Sequence, residues 1–457
     1  VVVLGAFMST IDSSIVNVAL PVMSKHLNVG MDSIQWIVTS YLIVISAFIV
    51  SFGKIADKKG KVKVFLTGFV IFGTGSILCA ISNSFLLLIF SRIFQAVGAS
   101  MFMATNQGII AEVFPASERG RALGLSGTTV ALGTMIGPPL GGIMVQFLNW
   151  QSIFIVNVPI AIIGFIIGKF ILPKKETFEK SEAFDFKGSS SFMIFIISLF
   201  WAILSGENIG WSSVPIICAF LISFISIIIF FVSERNAKNP MVDFSMFENK
   251  LFDVSLICGY ISFLAMFCMN IIHPFYLEYT LKASPAVSGM LMIVSPLCLA
   301  FAAPISGYVS DKIGCEILTF LGLSCIGIGL VLIAFLNEHS SYLDIILRVI
   351  FIGIGSGLFQ SPNNSIIMGC IPKNKLGVAG SINALVRNMG MVSGIAFSVA
   401  ILYNRMSFKL GHKVINYVGG HNAAFLYGMK VVYLFAAFTC FVGVALTAFR
   451  MVKHKQN

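Results

Sequence analysis

Asp12 stands inside a long apolar run, with Ser9, Ser13 and Asn17 at spacings that share one face of a helix. Phe7, Ile11, Ile15, Val18 and Val22 make the opposite face apolar. A carboxylate at the centre of a membrane helix costs about 2.5–3.5 kcal/mol on insertion scales, so the polar face has to look into a bundle. Burial disfavours an ionised carboxylate and a nearby cation favours it. A carboxylate that alternates between those surroundings can load and release a proton; the alternative is a structural ion pair. Arg92 is the partner that depth allows. At 1.5 Å per residue it lies about 10 Å below the outer end of its own run, and Asp12 about 15 Å below the outer end of the first. Arg92 could instead lock helices by bonding backbone carbonyls. Arg348 is only about 7 Å in and can snorkel outward. Arg387 lies about 18 Å inside its run with no acidic partner in view, and either holds an anionic group or caps carbonyls.

The elements that hold these residues are set by composition. The chain has 457 residues, 57% hydrophobic and 11% charged, with a mean hydropathy of +0.94. A soluble domain carries about 25% charged residues, so a water-soluble core in a charged shell is excluded. The net charge of +11 sits in short clusters between apolar runs, not on the basic face that nucleic-acid binding needs. Eight of the nine cysteines lie within apolar runs and none forms a C-x-x-C pair, which suits small buried hydrophobes better than redox or metal chemistry. The chain opens at Val1 inside an apolar run, so a residue or more is expected before it, and no cleavable signal is expected.

A membrane-spanning helix needs roughly 20 mainly apolar residues. Fourteen such runs occur, at 1–23, 34–55, 63–82, 85–112, 121–146, 150–171, 187–205, 213–233, 251–276, 285–308, 317–336, 343–368, 375–403 and 426–449. Asp12 is the one carboxylate placed deep; Glu112, Glu207 and Glu278 fall near run ends. Twenty Lys and Arg residues fall on one side of the connections against six on the other, which puts both termini in the cytoplasm by the positive-inside rule.

The chain also repeats itself. GKIADKKGK from Gly53 is answered by GYVSDKIGC from Gly307, with Gly53, Asp57, Lys58 and Gly60 matching Gly307, Asp311, Lys312 and Gly314. Arg92, Asn106, Pro115 and Gly133-x-x-x-Gly137 are answered by Arg348, Asn363, Pro372 and Gly390-x-x-x-Gly394. The expected organisation is a six-helix bundle over 1–172, a linker with two inserted helices over 173–250, and a second six-helix bundle over 251–457. Paired halves of this kind are a transporter design, with the site near the midplane between them. In the first loop motif, Asp57 is placed where a helix N-terminus favours an anion, with Gly53 and Gly60 giving close packing and a tight turn. That motif is expected to gate access. In the fifth run Gly133, Gly137, Gly141 and Gly142 form a smooth face and Pro138-Pro139 bends the helix, a pattern that packing alone also explains. Gln360, Asn363 and Asn364, on a face with Gly353 and Gly357, suit a binding wall opposite Phe263, Met266, Phe267 and Asn270. Met and aromatic side chains make adaptable walls that attract cations and flat rings. Asn17 and Tyr41 complete the expected substrate-binding set, and Arg387 is grouped with the gating residues.

Those motifs, in order and at these spacings, resemble the major facilitator superfamily, and within it the fourteen-span drug:proton antiporter branch. TIDSSIVNVALPVM from Thr10 is similar to the branch's first-helix signature, and WIVTSYLI from Trp36 to its second. GKIADKKGK resembles the superfamily's loop motif, RIFQAVGAS from Arg92 its fourth-helix motif, and GTMIGPPLGG from Gly133 its antiporter motif. FIVNVPI from Phe154 and GLFQSPNNSIIMG from Gly357 are also branch-like. Ala96, Cys315 and Ile395 depart from the pattern, which bears on whether the halves act equally. The resemblance implies an all-α polytopic fold of two six-helix bundles plus two inserted helices. It also implies that the fifth-helix hinge seals against leak of substrate without exchange.

No G-x-x-x-x-G-K-[ST] occurs, so the energy source is expected to be a proton gradient, with no cofactor, no metal and no enzymatic site. The expected protein is a monomeric exporter of amphipathic, cationic compounds across the cytoplasmic membrane, with Asp12 and Arg92 coupling protons, and no nucleic-acid partner. Its rivals are a dedicated exporter of a metabolite, lipid or peptide, and a non-transporting receptor or assembly subunit.

Overall fold

The computed structural model describes residues 1–113, 119–172, 185–236, 244–372, 376–414 and 421–454. Pro115 and seven of the basic residues counted for orientation (Lys174, Lys175, Lys180, Lys238, Lys373, Lys375 and Lys455) lie outside the described residues. Among those described, every regular element is helical, and fourteen long helices carry the fold. They are α1 Val2–Leu27, α2 Trp36–Lys59, α3 Lys61–Ala80, α4 Phe85–Val113, α5 Arg119–Phe147, α6 Asn157–Ile171, α7 Phe186–Ile209, α8 Val214–Asn236, α9 Lys250–Phe275, α10 Val294–Ile313, α11 Cys315–Ala334, α12 Tyr342–Gly369, α13 Leu376–Leu410 and α14 Asn422–His454. Thirteen helical spans are long and apolar enough to cross a membrane, and α5, with 29 residues, fills the remaining place. The protein is thus an all-α polytopic membrane protein.

Local chemistry sets the helix ends. Asp185 accepts from the Gly188 amide to start α7, Asn249 from Leu251 to start α9, and Ser341 from Asp344 to start α12, the side-chain capping expected of these residue types. α2 and α10 both stop at a glycine with positive φ, Gly60 at 101° and Gly314 at 92°, so the repeated loop motif makes the same turn twice. Several helices outrun their apolar stretches. α1 continues through Ser24, Lys25 and His26, and α13 through Arg405 and Lys409, because hydropathy ends where water begins while the helix does not. Short helical segments, Met31–Ile34, Ser152–Ile155 and Pro285–Met292, precede α2, α6 and α10.

The internal repeat becomes a repeated packing scheme. α1 packs on α5, α2 on α4, α3 on α4 and α6; α9 packs on α13, α10 on α12, α11 on α12 and α14. Glycines make the tightest seams. A side chain at Gly98 would strike the Gly68 carbonyl and the Phe72 backbone, and one at Gly355 would strike the Gly322 carbonyl and Ile326. The backbones of α3 and α4, and of α11 and α12, therefore touch directly. α7 lies against α2 and α13, with the Ser51 and Ser189 hydroxyls 2.7 Å apart, and α8 packs on α7.

Contacts across the two sets recur at the end opposite the Gly53–Lys61 loop. The Tyr279 hydroxyl donates to the Pro21 carbonyl at 3.0 Å, and the Ala286 amide donates to Gln146 Oε1 at 3.1 Å. Gly142 lies against the Pro285 carbonyl and Gly289 against the Pro138 carbonyl, two backbone-close approaches through the Pro285–Met292 segment. At Gly53, in contrast, an added Cβ would meet nothing within 4 Å, so the close packing expected of this glycine is absent in this conformation.

These seams make a direct prediction. Gly98→Val should lower the melting temperature and folded yield in detergent, with overpacking costing about 1–3 kcal/mol. Gly53→Ala, placed in open space, should leave both unchanged.

Candidate functional site

Helix α1 is enclosed almost all round, and this is what carries Asp12 into the protein. Its apolar side, including Ile11, Ile15 and Val18, is as buried as its polar side. Thr10, Ser14 and Ile15 meet the α5 glycines Gly133, Gly137 and Gly141, where any side chain would collide. The Ser14 hydroxyl bonds the Gly133 carbonyl at 3.2 Å. With that side taken by α5, Asp12 turns towards α2, α3, α4 and α6.

Asp12 and Arg92 are both 0% exposed, with Arg92 Nη1 2.6 Å from Asp12 Oδ2. Asp12 Oδ1 accepts from Gln95 Nε2 at 2.9 Å and from Asn157 Nδ2 at 2.7 Å. Gln95 also accepts from Arg92 Nη1 at 2.6 Å and donates to the Ser76 hydroxyl at 2.8 Å. Arg92 Nε donates to the Ile37 carbonyl at 3.1 Å, and the guanidinium lies 4.2 Å from the centre of the Tyr41 ring. Nη2 has no hydrogen-bond partner among the described residues. The carboxylate thus holds three donors from two helices and a full counter-charge, the conditions under which a buried ion survives. Arg92 both pairs with a carboxylate and bonds a carbonyl, so the two roles open from sequence coexist.

Gln95 and Asn157 were missed as site residues. Gln95 follows Arg92 by three residues, on the same helix face, and Asn157 is an isolated amide in an apolar run. Tyr41, expected in the substrate-binding set, stacks on Arg92 and is buried. Asn17 is buried on α1.

The second set places polar residues differently. Met266 Sδ lies 3.6 Å from Gln360 Nε2 and 3.5 Å from the Ser356 hydroxyl. The wall expected from Gln360, Asn363 and Asn364 is divided. Asn363 is buried and donates to the Ser255 carbonyl of α9 at 3.1 Å. Asn364 is accessible and accepts from Asn383 of α13 at 3.0 Å. Gly353 and Gly357 abut α10 at Ser295 and Ala302. The physical reason is angular: Asn363 is turned about 80° from Gly353 at 100° per residue. Phe267 packs against Gly394, while Asn270 is half-buried. Arg387 lies 5.9 Å from the centre of the Phe263 ring, and its Nε has no partner among the described residues. Arg348 bonds Asp344 at 2.9 Å and the Leu332 carbonyl at 2.8 Å near its helix start. Arg450, counted as a loop charge, is buried and bonds Ser255 and Thr319, tying α14 to α9 and α11.

At the loop motif, Asp57 sits in the last turn of α2 and not at the N-terminus of its own helix. It pairs with Lys61 at 3.4 Å in the first turn of α3, so the anion bridges two helix ends. Lys58 is exposed beside it. Asp311 is in the last turn of α10, and its side chain lies outside the described residues.

Comparison with known proteins now places this arrangement. The model of the Major Facilitator Superfamily matches residues 2–234, 186–395 and 255–457. The chain belongs to the Major Facilitator Superfamily. Its relatives include the riboflavin transporter RibZ of Clostridioides difficile, 37% identical over 99% of this chain and 97% of that one. The multidrug resistance protein Stp of Mycobacterium tuberculosis is 30% identical over 89% and 76%. A crystal structure of a POT family transporter in complex with 5-aminolevulinic acid shares the fold, with a TM-score of 0.71 at 17% identity over 99% and 94% of the chains. The protein is therefore a multi-pass membrane transporter of this superfamily.

Arg92→Ala should strand the Asp12 carboxylate, and breaking one side of a buried pair costs about 3–5 kcal/mol. Folded yield should fall sharply in this variant. Adding Asp12→Asn should restore it, because no unpaired buried charge then remains.

Proposed function

We propose that the protein is a proton-coupled antiporter that exports amphipathic small molecules across the cytoplasmic membrane by alternating access. The observation that carries this reading is Asp12, a fully enclosed carboxylate in a membrane helix, held by Arg92, Gln95 and Asn157. Ionised, it ties α1 to α4 and α6. A proton on either oxygen removes the charge that Arg92 faces and turns an acceptor into a donor, which loosens those ties. Arg92 keeps the Ile37 carbonyl and the Tyr41 face, so it is not left bare.

Direct competition between substrate and proton for Asp12 does not suit a carboxylate sealed inside the first set of helices. Coupling runs instead through α1. Its other side seats on the α5 glycines, and α5 in turn meets Pro285 and Gly289 across the seam. A shift of α1 therefore reaches the contact that closes one end. With the basic end cytoplasmic, the seam at Pro21, Gln146 and Gly142 is the outer closure, and the conformation described here is the one that binds substrate from within. Gly53, now in open space, gains neighbours when the basic end closes.

A second reading, a dedicated exporter of one metabolite, draws support from the relative named as a riboflavin transporter, which this chain matches along nearly its whole length. Multidrug export draws support from the relative named for multidrug resistance. Both share the coupling device and differ in substrate range.

The test uses proteoliposomes holding a trapped pH-sensitive dye, challenged across a pH gradient with ethidium or riboflavin. The parent should release protons in response to at least one of them, and Asp12→Asn should lose at least about 90% of that flux, the tenfold effect of losing about 1.4 kcal/mol of coupling. Equal flux in parent and mutant would overturn the role of Asp12. Response to one compound without competition by others would select the dedicated exporter. Binding without flux would select a receptor.

A further inference from the structure

The mechanism above leaves one deep charge unused. Arg387 is about 17 Å along α13 from its basic end, at 1.5 Å per residue, yet it forms no ion pair or hydrogen bond among the described residues. It is surrounded by protein and still keeps accessible surface. A guanidinium at that depth cannot face lipid without heavy cost, so its open side faces water or a ligand. Capping of backbone carbonyls, one of the two roles open from sequence, is not seen among the described residues.

Its neighbours share that accessibility. Phe263 and Met266 of α9, Gln360 and Asn364 of α12, and Asn383 one turn before Arg387 all retain open surface, while Asn363, Phe267 and Gly390 beside them are buried. The Asn383–Asn364 and Gln360–Met266 contacts join the three helices around this surface. It offers amide donors and acceptors, a polarisable sulfur and an aromatic ring 5.9 Å from the guanidinium. No described carboxylate is paired with Arg387, and Asp12 is sealed in the other set of helices and already neutralised by Arg92. A cationic substrate would meet repulsion here with no anion to offset it.

We propose that Arg387, with Phe263, is a substrate-binding site for flat amphipathic compounds that carry an anionic or acceptor-rich edge. The guanidinium presents a planar fork of donors to carboxylate, phenolate or imide oxygens, and the ring and Met266 take the apolar face. This deepens the exporter reading, on which it rests, and reverses the preference for cations expected from sequence. The amides hold neutral polar groups, so the site selects by charge and planarity and not by one fixed shape.

The test compares two dyes built on the same ring system, anionic fluorescein and cationic rhodamine 123, by fluorescence anisotropy with the purified full chain in detergent. The parent should bind fluorescein more tightly. Arg387→Gln should weaken fluorescein about tenfold, the size of one charge-assisted hydrogen bond, and leave rhodamine 123 equal or tighter. Arg387→Lys should recover part of the loss, and Phe263→Leu should weaken both dyes alike. Melting temperatures matching the parent exclude misfolding; if Arg387→Gln does not fold, the Arg387→Lys and Phe263→Leu pair decides. Absence of fluorescein binding by the parent, tighter binding of rhodamine 123, or unchanged fluorescein affinity in the Arg387 variants would overturn the proposal. The anisotropy readout needs no proton flux, whereas coupling is read as proton release from proteoliposomes, so failure of proton coupling is distinguishable from failure of this site.

Discussion

A carboxylate inside a membrane protein has to be compensated, and the compensation of Asp12 organises five of the first six helices. Three donors converge on it from α4 and α6, while α2 supplies the Ile37 carbonyl and Tyr41 ring that hold Arg92. α3 contributes Ser76 through Gln95. Each of these helices is therefore fixed relative to α1 by a polar contact that lipid cannot replace. Apolar packing alone would leave their rotation loosely specified, since lipid tails compete with side chains on equal terms.

The two sets of six share a packing scheme but not this charge. Gly68–Gly98 and Gly322–Gly355 make equivalent seams, and Gly133–Gly141 on α1 has its counterpart in Gly390 and Gly394 on α9. Where the first set has Asp12, the 254-residue offset of the loop motifs brings Met266, and where it has Gln95 the 256-residue offset of Arg92 and Arg348 brings Phe351. Arg348 has moved out to Asp344 and the Leu332 carbonyl. Duplication thus supplied one scaffold twice, and on our proposals divergence left proton chemistry in one half and substrate contacts in the other. The scaffold is conserved by backbone contact at glycines, which side-chain divergence does not disturb.

Much of this was legible in sequence. Hydropathy gave the helices, and depth arithmetic brought Asp12 to Arg92, because charge in lipid is costly enough to leave few options. Direction was not legible. A helical wheel shows which residues share a face but not which neighbour covers it, so it did not reveal that Tyr41 stacks on Arg92 or that Asn363 bonds the Ser255 carbonyl. Uncharged amides such as Gln95 and Asn157 carry no comparable cost, so only their place in the RIFQAVGAS and FIVNVPI motifs marked them. Arg450 is one of the twenty basic residues counted between the apolar runs, since it follows the last of them, although α14 continues past it and buries it.

On our proposal, the protonation state of Asp12 sets whether the seam at Pro21, Gln146 and Gly142 is closed, and a distance measured across that seam reads this out. Spin labels at Leu148→Cys and His339→Cys, both exposed at the end opposite the Gly53 loop, would be read by pulsed dipolar spectroscopy in lipid nanodiscs, on a background lacking the native cysteines. In the parent, lowering the pH should populate a second, longer distance as that end opens. In Asp12→Asn the distribution should no longer respond to pH. A parent distribution indifferent to pH, or the same pH response with and without the carboxylate, would overturn this role of Asp12.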